Sequence, residues 1–123
     1  MPQVEAPRVQ IIDAYGNGGF RVSGEIHRGS IIVLSDRVLP WLVTDMAGLT
    51  AESLQPIIAS GAAVEIVLLG CGPRFAMVPE ALRRAVSAAG MSLDAMDTGA
   101  ACRTYNVLRA EERRVAAALI AVG

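Results

Sequence analysis

The sequence predicts one small α/β domain, and three observations carry that reading. The chain has 123 residues, enough for one hydrophobic core and short for two. From Val64 to Leu108 it alternates strand-like and helix-like segments, the pattern of a βαβα unit. Ahead of Val64, short apolar runs are separated by glycine turns, the mark of hairpins.

Element by element, Val9 to Tyr15 and Gly19 to Ser23 read as a hairpin, because Gly16-Asn17-Gly18 supplies residues that accept the positive φ of a tight turn. Gly24 to His27 and Ser30 to Leu34 read as a second pair around Arg28-Gly29. Val38 to Val43 extends the sheet, with Pro40 confining it to an edge or a bulge because proline cannot donate to a ladder. A short helix follows. Thr50 is its N-cap and Leu49 is placed to staple onto Leu54, unless Pro56 delays the start until after Ser53; Gly61 ends it. Val64 to Leu69 is almost wholly apolar, as a strand covered on both faces must be. Pro79 opens the next helix, whose Leu82, Ala85, Val86 and Ala89 recur at helical spacing before Gly90. Ser92 to Met96 is a strand, and Asp97 or Thr98 caps a helix to about Leu108. Val115 to Ala121 is rich in alanine, and propensity leaves helix and buried strand both open. Without repeats or linkers, residues 1–123 are expected to form a single domain with its core at about 8–121.

Composition excludes several classes of function. Formal net charge is −1, and all 11 basic residues are arginines dispersed along the chain, so no basic stripe exists to neutralise a run of phosphates. The aromatics Tyr15, Phe20, Trp41, Phe75 and Tyr105 are too scattered for a base-stacking platform. Nucleic acid is therefore not an expected partner. Without lysine there is neither a P-loop nor a Schiff-base nucleophile. His27 is the only histidine, which rules out multi-histidine metal sites, and no metal or cofactor is expected. Cys71 and Cys102 form no C-x-x-C pair, which fits a reducing compartment. No apolar run reaches the ~18 to 20 residues of a membrane span, and the first residues lack the basic start and apolar core of a signal peptide. The expected location is cytoplasmic. The apolar share of 53% exceeds the roughly 45–50% of ordinary soluble domains, leaving apolar surface for a protein partner or a homo-oligomer.

A right-handed βαβα unit lays its two strands parallel, so the loops at their C-terminal ends share one side of the sheet. Ligands of open α/β sheets bind in that crevice. Gly70, Cys71, Gly72, Pro73 and Arg74 form one lip and Asp97, Thr98 and Gly99 the other, with Arg103 and Asn106, three apart, sharing a face of the helix that follows. The Gly70-x-Gly72 pair lacks the third glycine of a dinucleotide fingerprint, since Phe75 stands there. Arg103 beside a helix N-terminus can hold an anion; equally, Asp97, Arg103 and Asn106 can form an internal capping network. Cys71 is a nucleophile only if exposed and lowered in pKa by Arg74 or Arg103, and is otherwise a packing residue.

The stretch Asp97-Thr98-Gly99-Ala100-Ala101-Cys102-Arg103-Thr104-Tyr105-Asn106, with Leu68-Leu69-Gly70-x-Gly72 and the strand from Gly29-Ser30 to Leu34, resembles a small-domain family typified by mitochondrial complex I (NADH:ubiquinone oxidoreductase) assembly factor three, with bacterial and archaeal members of unknown function. The resemblance covers most of residues 8–121. It implies a three-layer α/β fold with a central mixed sheet, flanking helices and a hairpin-rich N-terminal half, the last strand running from Arg114 to Ala121. It implies a non-catalytic assembly or adaptor role, respiratory-complex or membrane-assembly proteins as partners, and a place in the cytoplasm or at the periphery of the inner membrane. Gly70, Gly72, Asp97, Thr98, Arg103, Thr104, Tyr105 and Asn106 match the family pattern. Cys71 departs from it, standing where many relatives carry threonine. The competing expectation from the residues alone is an anion-binding protein or an enzyme that uses the crevice.

Overall fold

A computed structural model describes residues 10–123; Val9 and the start of the chain lie outside the described residues. The strands are β1 (Ile12–Gly16), β2 (Gly19–Val22), β3 (Glu25–Arg28), β4 (Ile31–Val33), β5 (Val38–Pro40), β6 (Ile66–Gly70), β7 (Ser92–Met96) and β8 (Val115–Leu119), and the α-helices α1 (Gln55–Ile58), α2 (Glu80–Ala88) and α3 (Thr98–Ala110). They form a three-stranded sheet, β1-β2-β3, and a five-stranded mixed sheet in the order β5-β4-β8-β6-β7. In the larger sheet β6 runs parallel to β7 and β8, and β4 antiparallel to β5 and β8.

Alternation along the central strands sorts their side chains into two cores. Val67 and Leu69 of β6, Ala116 and Ala118 of β8 and Ile32 of β4 meet Leu54, Ile57, Leu82 and Val86 on one face. Leu68, Val115, Ala117, Leu119, Ile31 and Val33 meet Ala101, Cys102 and Tyr105 of α3, with Ile12, Phe20 and Val22 of the small sheet, on the other. The outcome is the three-layer α/β architecture with a central mixed sheet and a hairpin-rich first half. Alanines dominate β8 because it lies between β4 and β6 with both faces covered, where small side chains let the layers approach. Helix propensity gives way there to tertiary packing.

The first hairpin turns at Asn17 (φ 53°) and Gly18 (φ 76°), as its sequence requires. Pro40 ends β5 at the edge of the larger sheet. Around residue 50, Thr50 Oγ1 accepts from Ser53 N at 3.1 Å, but the first turn, Glu52–Leu54, is a 3₁₀ turn and α1 proper is only Gln55–Ile58. Pro56 sits in the first turn of α1, where a missing N–H costs little. Another 3₁₀ turn, Gly61–Ala63, then carries the chain into β6.

One expected pairing is corrected. β3 and β4 do not form a hairpin: β3 folds back on β2, and β4 enters the other sheet between β5 and β8. Ile31, Ile32 and Val33 are all buried, whereas Glu25, Ile26 and Arg28 are exposed. A continuous apolar strand needs cover on both faces, and β3 cannot provide it. No helix among the described residues is long and apolar enough to cross a membrane.

The second core holds two acidic side chains in their neutral forms. Burial pushes the Cys102 thiol from its ordinary 9.0 up to about 12, and burial likewise raises the Tyr105 phenol from 10.0 to about 12. The unfolded chain ionises both groups at lower pH than the folded one, so above about pH 9 it binds fewer protons and stability falls as pH rises. Thermal unfolding followed by circular dichroism should show a decline beginning near pH 9 and continuing to about 12. In Cys102→Ala/Tyr105→Phe that decline should flatten, and an equally steep one would contradict the assignment.

Candidate functional site

The two loops singled out in the sequence do meet, at the C-terminal end of the parallel strands. Gly70 pairs with Met96 on one side and Leu119 on the other, so the residues that follow leave the sheet side by side. Cys71 N donates to Met96 O at 2.8 Å, Ile120 N to Gly70 O at 3.0 Å, and Thr98 N to Gly72 O at 2.8 Å. Thr98, fully buried, completes the junction: its Oγ1 accepts from Gly72 N at 2.9 Å and donates to Ile120 O at 2.7 Å. A side chain at position 70 has no room, because a Cβ there would lie 2.9 Å from Thr98 Oγ1 and 3.0 Å from Leu119 Cδ2.

α3 begins at this junction. The Asp97 carboxylate caps it, accepting from Ala100 N at 2.9 Å, and thereby satisfies an N–H that a bound anion would otherwise use. Tyr15 of β1 lies over Gly99, where a Cβ would collide with the phenol oxygen, and its hydroxyl accepts from Arg103 Nη1 at 3.2 Å. Asn106 holds the same strand as an amide holds a backbone: Ile12 N donates to Oδ1 at 2.9 Å and Nδ2 donates to Ile12 O at 2.8 Å. The small sheet is also tied by Gly18 N to Val122 O at 2.8 Å.

The remaining candidates divide by exposure. Gly70, Cys71, Gly72, Thr98 and Tyr105 are buried, Asp97, Thr104 and Asn106 half-buried, and Arg74 and Arg103 exposed. Thr104 Oγ1 contacts Met96 Sδ at 3.5 Å. Cys71 faces the first core, its Sγ 3.8 Å from Ala76 O, so it is a packing residue and not an exposed nucleophile. Cys102 lies in the opposite core, and both thiols are free. The Tyr105 hydroxyl is buried without a hydrogen-bond partner among the described residues.

A separate concavity lies on the small sheet, away from the candidate residues the sequence singles out. Ala14, Tyr15, Gly16, Asn17, Gly19, Phe20, Arg21, Ile26 and Arg28 line a hollow of about 350 Å³ on the small sheet. Its signal was present in the alternation of β2 and β3, which sets Arg21 and Arg28 on the face opposite the buried Phe20 and Val22, but it became visible only once the register was known.

Comparison with known proteins agrees with this architecture. An uncharacterised protein of Rhodobacter capsulatus is 38% identical over 110 residues, covering 89% of this chain and 82% of that one. NADH dehydrogenase (ubiquinone) 1 alpha subcomplex assembly factor 3 of Danio rerio is 31% identical over 118 residues, 96% of this chain and 68% of that protein. The crystal structure of an outer membrane protein from Bartonella henselae superposes with a TM-score of 0.89 at 42% identity, covering 95% of this chain and 98% of that one. Residues 12–120 match the family described as protein of unknown function (DUF498/DUF598), and the chain belongs to that family.

Proposed function

We propose that this chain is a non-catalytic assembly or adaptor protein that helps build a respiratory, complex I-like assembly or another membrane-associated complex. The observation that carries the reading is the likeness of almost the whole chain to the assembly factor of Danio rerio. The geometry supports it: the most distinctive polar residues of the family-like stretch, Asp97, Thr98 and Asn106, spend their hydrogen bonds on the fold itself. The test is deletion of the gene in the native host, with membranes resolved on a native gel. Fully assembled complex should fall and smaller subcomplexes accumulate, with both restored by the wild-type gene. Assembly at the parental level in the deletion strain would defeat the proposal.

A second reading, an anion binder or enzyme between residues 70–74 and 97–103, is favoured by one observation: Arg74 and Arg103 stand exposed at this end of the sheet without a carboxylate partner among the described residues. It predicts that a carboxylate or phosphate metabolite raises the unfolding temperature and that Arg103→Ala removes the effect. A broad thermal-shift screen with no hit sensitive to that substitution would eliminate it.

A further inference from the structure

We infer that the outer face of the β1-β2-β3 sheet receives an extended acidic segment of a partner protein, laid along the free edge of β3. The inference rests on the adaptor reading and specifies the partner's chemistry.

Register builds the face. Arg21 stands between Ala14 and Ile26, and Gly19 between Gly16 and Arg28, so two short rows of side chains cross the sheet. Arg21 and Arg28 are diagonal neighbours, about 7–8 Å apart at the backbone and within reach of long side chains. Between them the floor is bare: Gly16 and Gly19 bring no side chain, and a Cβ at Gly19 would lie 2.5 Å from His27 O. Ile26 is 67% exposed at the rim.

The charge of this face is unbalanced. No carboxylate among the described residues lines the hollow. The ion pairs among the described residues are Asp36 with Arg37, Glu80 with Arg84, and Glu65 with Arg113 and Arg114, none involving Arg21 or Arg28. Asp13 is engaged by Gly24 N at 2.8 Å, and Glu25 lines the groove with His27, Asp36 and Arg37 on the other side of β3. Two guanidinium groups thus face solvent without an ion-pair partner among the described residues, in a chain whose net charge is −1.

Three features select an extended peptide over other anions. Among the described residues β3 is an edge strand, paired only with β2, and an open edge is a template for one more strand. A strand added there projects alternate side chains onto the arginine-bearing face, which suits a carboxylate every second residue, and the aliphatic stem of the side chain opposite Ile26 packs beside it as a cross-strand neighbour. A lone phosphate would leave Ile26 in water, and a flat bilayer does not enter a concave face.

The test uses the full chain, labelled with ¹⁵N, and a short peptide of alternating Glu and Val as the probe. Amide shifts should concentrate at Ile26 and Arg28, and affinity in Arg21→Glu/Arg28→Glu should drop by at least on the order of tenfold. Arg84→Glu, on the far helix, should bind as the parent does. Glutamate keeps the β3 edge charged, so its protection against aggregation is retained. Equal binding by the double variant, equal binding of a Lys–Val peptide, or binding of phosphatidylglycerol vesicles in place of the peptide would overturn the inference. In the deletion strain, complementation by the double variant as complete as by wild type would also overturn it. The absence of any deletion phenotype would instead defeat the adaptor reading, and the titration would still judge the face.

Discussion

The hydroxyl of Thr98 is the constraint on which the arrangement turns. It takes a hydrogen bond from Gly72, just past the end of β6, and gives one to Ile120, just past the end of β8, while its own backbone N–H is held by Gly72 O. One side chain thus joins both central strands to the first turn of α3. It lies in the interior, where an unpaired N–H or C=O costs about 1–3 kcal/mol, so the three partners fix one another's positions. Gly70 follows from this, because only a residue without Cβ lets Thr98 come so close.

From that junction the second layer is organised outward. α3, started by Asp97, runs across β6 and β8, lays Tyr105 into the core beneath it, and turns Asn106 toward the small sheet. Asn106 and Ile12 exchange a pair of hydrogen bonds where the described residues supply no strand neighbour, so β1 is protected on that side while β3 at the other end of the sheet has an open edge among the described residues. The inward face of this small sheet belongs to the core through Ile12, Phe20 and Val22, and its outward face carries Arg21 and Arg28, which make no ion pair among the described residues. Core packing and the proposed recognition thereby lie on opposite sides of the same three strands.

How much of this was legible depended on whether the deciding interaction was local. The Asn17-Gly18 turn, the buried run of β6, the edge position of Pro40 and the cap at Asp97 are imposed by residues within a few positions, and each is readable in the chain. The alanines of β8 were ambiguous because their strand state is set by β4 and β6, far away in sequence. The separation of β3 from β4 is hidden from the local sequence for the same reason: a Gly between two apolar runs permits a hairpin, and only the need to cover Ile31–Val33 on both faces forbids it. At the candidate site, the βαβα order brought the 70–72 and 97–98 loops together correctly. That Thr98 would bond Ile120 could not be read, since those residues are linked only through a strand whose placement was open. Arg21 and Arg28 looked dispersed along the chain until the sheet register made them neighbours.

The most direct test of this account is chemical denaturation of Thr98→Val and Thr98→Ser, together with hydrogen exchange at the Gly72 amide. Valine keeps the shape and removes the hydroxyl, leaving Gly72 N–H and Ile120 C=O without their partner at a cost of about 1–3 kcal/mol for each. Serine keeps the hydroxyl. The account predicts a marked loss of stability and fast exchange at Gly72 in the valine variant, with both largely preserved in the serine variant. A valine variant that unfolds at the parental denaturant concentration with Gly72 still protected would contradict it.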